Sequence, residues 1–208
     1  GTGRYLSTED LSNKDLQTWY GLIDDGTQIT SSTQLVQRTI DMEVTSGSLI
    51  LRSTSAGSDT DLVGKRGWYM NLVSPGTGGQ KGERMVLPNQ FKGYVLIGTS
   101  RTPNLEDPCS PGGQGYIMSI NPFTGGRLEN NFFDVNGDGK VDSDDSITAA
   151  DGTKHSVSGV GFSTGVNNPT FTGDVMQLGF DDASRGAMKI DASTFHQRRV
   201  SWRELIRD

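Results

Sequence analysis

The sequence predicts an all-β protein carrying an EF-hand-like calcium loop between two strands. Three observations carry this expectation. The 28 glycines are scattered between short apolar runs, as in a chain that turns often. Those runs are rich in β-branched and aromatic residues and bounded by Gly, Pro, Asn or Ser. Residues 134–145 place oxygen-bearing side chains at the spacing of a calcium-binding loop.

Helix signals are few. Ser7 to Lys14 has room for one or two helical turns, starting at Ser7 or Thr8 with Glu9 and Asp10 behind. The strands then follow in order. Leu49-Ile50-Leu51 leaves a Ser-Gly turn. Gly67 to Leu72 is aromatic, and Tyr94 to Thr99 has the composition of a buried strand. Gly115 to Ile120 is another, closed by the turn Asn121 to Gly126. Phe171 to Phe180 is read as one further strand, and Val200 to Leu205 as the last. Ser53 to Ser58 and Ser74 to Gly82 are low in complexity and are expected to be surface loops. Trp19, Trp68 and Trp202 are expected in the core.

A weak internal repeat appears at an offset of 97 residues. It aligns Gly1 to Arg4 with Gly98 to Arg101, and Trp19 to Asp24 with Tyr116 to Asn121. Such a period fits one large blade, or two of roughly 45 residues each, and radially repeated sheets are β-propellers. At that size the chain, 1–208, holds about four blades of a single propeller domain, fewer than most propellers close with.

Calcium is a hard cation that takes six to eight oxygen ligands, and alternate residues of a tight loop can all point at one centre. Asp134, Asn136 and Asp138 stand at positions 1, 3 and 5. Gly139 at position 6 permits the sharp turn. Lys140 offers its backbone carbonyl at position 7, Val141 supplies the apolar position 8, and Asp142 stands at position 9. Position 12 is Asp145 where Glu is usual, so its shorter arm reaches the ion with one oxygen, through water, or not at all. Pro122 to Gly126 upstream is turn chemistry, and Ser146 to Ala150 downstream has room for one short turn before Asp151-Gly152. The loop is therefore expected to staple two strands together and not to switch a helix pair.

With 208 residues the chain can bury a sizeable core. A net charge of −6 argues against nucleic acid as the main partner. No apolar run approaches the roughly 20 residues of a membrane-spanning helix. The opening Gly1-Thr2-Gly3-Arg4 suggests the middle of a larger protein. Cys109 is the sole cysteine and gives no disulfide framework within the chain. His155, expected to be exposed, and His196 have no ligand partner at useful spacing. No nucleophile elbow, phosphate loop or dinucleotide fingerprint appears, so no catalytic residue is assigned. Arg198, Arg199, Arg203 and Arg207 alternate with acids in the tail, as on an exposed strand or a docking face for an acidic partner.

Several segments together resemble the PilY family of type IV pilus assembly and tip-adhesin proteins. They are Gly1 to Leu6 with Trp19 to Asp24, then Lys65 to Leu72 with Gly82 to Val86. Asp107 to Gly113 with Tyr116 and Thr124 to Leu128 is similar, as are Phe133 leading into the calcium loop and Arg198 to Leu205 at the end. The resemblance implies the C-terminal β-propeller of a secreted, surface-displayed protein at the pilus tip, with minor pilins as partners. It implies roles in pilus biogenesis, control of extension and retraction in twitching motility, adhesion to host receptors, and virulence. It also implies calcium binding by Asp134, Asn136, Asp138, Lys140 and Asp142, whereas Asp145 rests on loop geometry. Two alternatives stay open: a fragment of a propeller-type quinoprotein dehydrogenase, and a dockerin-like calcium-dependent docking module. Dockerins carry two such loops, each leading into a helix, and only one loop is present here.

Overall fold

The computed structural model describes residues 1–76, 79–103 and 112–191. A single helical turn, α1 (Glu9–Ser12), lies within the expected segment. The strands follow in chain order as β1 (Thr18–Leu22), β2 (Val36–Arg38), β3 (Ile40–Ser46), β4 (Leu49–Thr54), β5 (Gly67–Asn71), β6 (Gln90–Lys92) and β7 (Val95–Pro103). Then come β8 (Gly112–Ile120), β9 (Ile147–Thr148), β10 (Lys154–His155), β11 (Gly159–Thr164), β12 (Thr170–Thr172), β13 (Val175–Gly179) and β14 (Arg185–Lys189).

The largest sheet has six strands in the order β3-β4-β11-β8-β7-β6, with all its pairings antiparallel. Period-two alternation sends its side chains to two separate cores. Ile97, Ile117 and Val160 join one core with Phe132, Phe133, Met176 and Leu178. Tyr116, Met118 and Ile120 join the other with Trp19, Trp68 and Met70. The small sheet β1-β5-β2 supplies the second core, and β12-β13-β14 the first. Gly159 and Gly161 on β11 make the central pairing close. A Cβ there would stand 2.3 Å from Met118 and Tyr116 side-chain atoms respectively. Trp19 and Trp68 are buried edge to face, with centroids 5.7 Å apart.

The all-β expectation holds, but the sheets are not a run of blades. Among the described residues they have three, six, two and three strands, and no ring of four-stranded blades closes. β11 inserts between β4 and β8, so the central sheet is assembled from distant segments and not from consecutive hairpins. The 97-residue repeat equates β1, at the edge of a small sheet, with β8, in the interior of the large one.

Phe171 to Phe180 is a hairpin, β12 and β13, because Gly173 turns the chain at φ +60°. Ser146 to Ala150 holds the two-residue strand β9, paired with β10, where a short turn was expected. Two low-complexity stretches contribute to the core. Ser53 and Thr54 end β4 fully buried, and Ser74 is 4% exposed.

Ser74 belongs to a buried polar cluster invisible in the sequence. Arg52, 0% exposed, donates to Glu43 at 2.7 Å, to Glu83 at 2.8 Å and to Ser74 at 3.1 Å. Ser100 donates to Glu83, and the Tyr116 ring lies 3.4 Å from the guanidinium carbon. Burial pushes the Tyr116 hydroxyl well above its ordinary range. Burial alone would raise the Glu43 carboxyl, but the Arg52 guanidinium outweighs it and holds the pKa below its ordinary value. The Cys109 loop, His196, Trp202, the arginine-rich tail and the expected strand from Val200 lie outside the described residues.

Candidate metal centre

The loop enters from an extended segment pinned to the end of β14. Phe133 bridges Ile190, Asp134 N–H donates to the Lys189 carbonyl at 3.0 Å, and Asp191 N–H donates to the Phe132 carbonyl at 2.9 Å. Phe132 and Phe133, both fully buried edge to face, anchor that entry in the core. The loop leaves through a 3-10 turn, Ser143–Asp145, into β9. It joins extended elements at both ends, as expected, and no helix flanks it.

Within the loop each expected side-chain donor, Asp134, Asn136, Asp138, Asp142 and Asp145, organises backbone N–H groups. Asp134, 6% exposed, accepts from Gly137 at 2.7 Å with one carboxylate oxygen and from Gly139 at 2.9 Å with the other. Asn136 accepts from Asp138 N–H, Asp138 from Lys140 N–H, and Asp142 from Asp144 N–H. These two-residue side-chain turns wind the loop tightly. Gly137 and Gly139 sit at φ +76° and +85°, a conformation other residues rarely adopt.

Asp145 is the inner post. It is 0% exposed and accepts from Val135 at 2.8 Å, Asn136 at 3.3 Å and Asp142 at 2.9 Å. One side chain thus ties the start of the loop to its end. Asn131, which the sequence did not single out, ties it from outside. Its amide donates to the Asp142 carbonyl at 2.6 Å and to Ser146 Oγ at 2.9 Å, and its oxygen accepts from Val157 N–H.

The donor set suits a hard cation: oxygens only, from carboxylates, one amide and one carbonyl. Asn136, Asp138, Lys140 and Asp142 are exposed at the mouth, while Asp134 and Asp145 are buried at its base. A carboxylate oxygen already accepting one N–H keeps a second lone pair for a ligand. Among the described residues no three His, Cys, Asp or Glu side chains converge on one point. The carboxylates are spread along the loop, with the Asn136 amide and the Lys140 carbonyl interleaved between them. His155, expected to be exposed, is half-buried on β10, and its Nδ1 is shielded without a partner.

Fold and loop together define a layered β-sheet protein with a twelve-residue acidic loop between extended segments. No family model matches the chain. It is 47% identical, along all of its 208 residues, to a type IV pilus biogenesis factor PilY1 homologue of Xylella fastidiosa, of which it spans 16%. It is 30% identical over 162 residues to the type IV pilus biogenesis factor PilY1 of Pseudomonas aeruginosa strain PAO1, covering 69% of this chain and 14% of that relative. Its fold matches the crystal structure of the Pseudomonas aeruginosa PilY1 C-terminal domain at a TM-score of 0.72. That match has 21% identity and covers 92% of this chain and 40% of that domain. The chain is thus similar along its whole length to one part of a PilY1 homologue, and spans well under two thirds of the relatives it matches.

Proposed function

We propose that this chain is a calcium-binding, non-enzymatic part of a type IV pilus biogenesis factor. The observation that carries the pilus role is the 47% identity along the whole chain to a relative named for it. The same kinship supports a place at the cell surface and contacts with minor pilins in a tip complex. Pilus extension and retraction, twitching motility and adhesion to host receptors belong to the same proposal. The propeller expectation also becomes a proposal for the larger domain, since the solved domain is matched over only 40% of its length. The absence of an assigned catalytic set favours assembly by protein contact over turnover.

Calcium binding rests on the chemistry of the loop. Asp134, Asn136, Asp138 and Asp142 side chains and the Lys140 carbonyl would hold the ion, with Asp145 behind them. A bound calcium ion supplies positive charge that offsets repulsion among the four carboxylates spread along the loop. In this proposal the ion is a staple. The loop already bridges β14 to β9, and filling it would stiffen the junction between the three-stranded sheet β12-β13-β14 and the two-stranded sheet β9-β10.

The test replaces the corresponding region of Pseudomonas aeruginosa PilY1 with this chain in a strain lacking its own PilY1, and counts surface pili. Restored piliation supports the proposal. A stable, exported chimera that leaves the cells bare contradicts it.

A further inference from the structure

Asn136-Gly137 is the sole Asn-Gly pair in the sequence. A glycine after asparagine leaves its peptide nitrogen without a side chain to shield it. A Cβ built on Gly137 would meet nothing within 4 Å, so the surrounding space is open as well. Both residues are exposed on the outer half of the loop. Three hydrogen bonds arrange the pair. Gly137 N–H donates to Asp134 Oδ1 at 2.7 Å. Asp138 N–H donates to Asn136 Oδ1 at 2.8 Å, which folds that side-chain carbonyl back over the Gly137 peptide. Asn136 N–H donates to the buried Asp145 at 3.3 Å, which holds the backbone at this point. The Asn136 amide nitrogen has no partner among the described residues.

These contacts are the parts of an acyl-transfer site. The Gly137 nitrogen is the nucleophile, and the carboxylate hydrogen-bonded to it is placed to take its proton. The Asn136 side-chain carbonyl carbon is the electrophile. The Asp138 N–H, at 2.8 Å, lies at the distance from which a donor stabilises negative charge on the attacked oxygen. The unpartnered amide nitrogen is the leaving group, and it opens to water. Asp138-Gly139 repeats the layout: Gly139 N–H donates to Asp134 Oδ2 at 2.9 Å, and Lys140 N–H to Asp138 Oδ1 at 2.8 Å. An ionised carboxylate offers no comparable leaving group, so the chemistry selects Asn136.

We propose that Asn136 is a self-modification site, deamidating through a succinimide with Asp134 as general base. The bond from Gly137 N to Asn136 Cγ forms, and the bond from Cγ to Nδ2 breaks. The Gly137 amide proton passes by way of Asp134 Oδ1 to the departing nitrogen, which leaves as ammonia. Water then adds to either carbonyl of the ring, and no atom changes oxidation state. One opening gives aspartate at this position. The other gives isoaspartate, whose main chain is longer by a methylene. Either product adds a negative charge to the loop, and isoaspartate also breaks the spacing of positions 1, 3 and 5. The step takes place in the ion-free loop and draws on neither the pilus role nor calcium occupancy.

The test incubates the intact chain in chelator at neutral pH and follows this position by peptide mapping with mass spectrometry, which separates asparagine, aspartate and isoaspartate. The reference is the same chain unfolded in guanidinium chloride, where Asp134 no longer faces Gly137. A positioned base contributes about 100-fold or more, part of which offsets the stiffness of the folded loop, so the folded chain should convert about tenfold faster than the unfolded one. Asp134→Ala should slow the folded chain by about tenfold and leave the unfolded rate unchanged. The wild-type comparison needs no variant, so the test stands even where Asp134→Ala loosens the loop. Asn136 left intact in the folded chain, folded conversion no faster than unfolded, or equal folded rates in wild type and Asp134→Ala would overturn the proposal.

Discussion

Replacing Asp145 with alanine isolates the part of the loop that holds without any ion. The carboxylate is fully buried and is the acceptor for the N–H groups of Val135, Asn136 and Asp142. A hydrogen bond to a charged group contributes roughly 1.5–3 kcal/mol, and a buried donor left unpaired costs about 1–3 kcal/mol. The bond to Asn136, at 3.3 Å, is the weakest, and water reaches the outer half of the loop. The lower end of the range therefore applies, and the expected loss is about 3 kcal/mol in all. For a chain of this size that lowers the melting temperature by about 6–12 °C. The assay is thermal and urea unfolding in chelator, so that no ion contributes. Asp144→Ala is the matched control. Its side chain is 75% exposed and reaches only Lys154 at 3.4 Å, so a change within about 0.5 kcal/mol is expected. Asp145→Ala unfolding within about 0.5 kcal/mol of wild type in chelator would refute the claim that Asp145 ties the loop together.

Three further outcomes follow from other parts of the fold. Glu83→Ala leaves Arg52 buried with only the half-buried Glu43 beside it, and breaking a buried pair costs about 3–5 kcal/mol; urea unfolding measures the loss. The Glu43 pKa lies below its ordinary value, so its contribution is present above the unfolded pKa of about 4.3 and lost as pH falls through the folded one. Melting temperatures should therefore hold level near neutrality and drop below about pH 4.3, with a shallower drop in Glu43→Gln. Ala183 turns the chain at φ +66°, where glycine carries no Cβ penalty. Ala183→Gly should therefore raise stability by up to about 1 kcal/mol in the same urea assay.

The strands that could be read from sequence are those whose burial is complete and whose ends are punctuated. Val95 to Thr99 and Gly115 to Ile120 are apolar runs closed by glycine or proline, and both are central strands. The hairpin Thr170 to Gly179 was hidden because its turn, Gly173-Asp174, lies inside a run that scans as continuous. Sheet order was not legible either. Nothing local says that Gly159 to Thr164 inserts between Leu49 to Thr54 and Gly112 to Ile120, since the reason is mutual fit of Gly159 and Gly161 against Met118 and Tyr116. Charged and serine-rich positions misled most. Arg52, Glu83 and Ser74 belong to surface-type residues, yet they are buried because they satisfy one another.

The loop was the most legible site because its donors are contiguous and every special position is local. Its anchors were not. Asn131 acts from three residues upstream of the loop, and Phe132 and Phe133 matter through their packing against distant strands. Asp145 was uncertain as a ligand from sequence, since Asp replaces the usual Glu. Its structural task emerged only from the three N–H groups it gathers.

The most direct test of the central claim is calcium titration of the chain by calorimetry, with melting followed in calcium and in chelator. The account predicts one ion bound per chain, a higher melting temperature in calcium, and weaker binding in Asp142→Ala with the strands still folded. Absence of binding heat together with identical melting in calcium and chelator would contradict it, leaving residues 134–145 a polar turn held by its own hydrogen bonds and by Asn131.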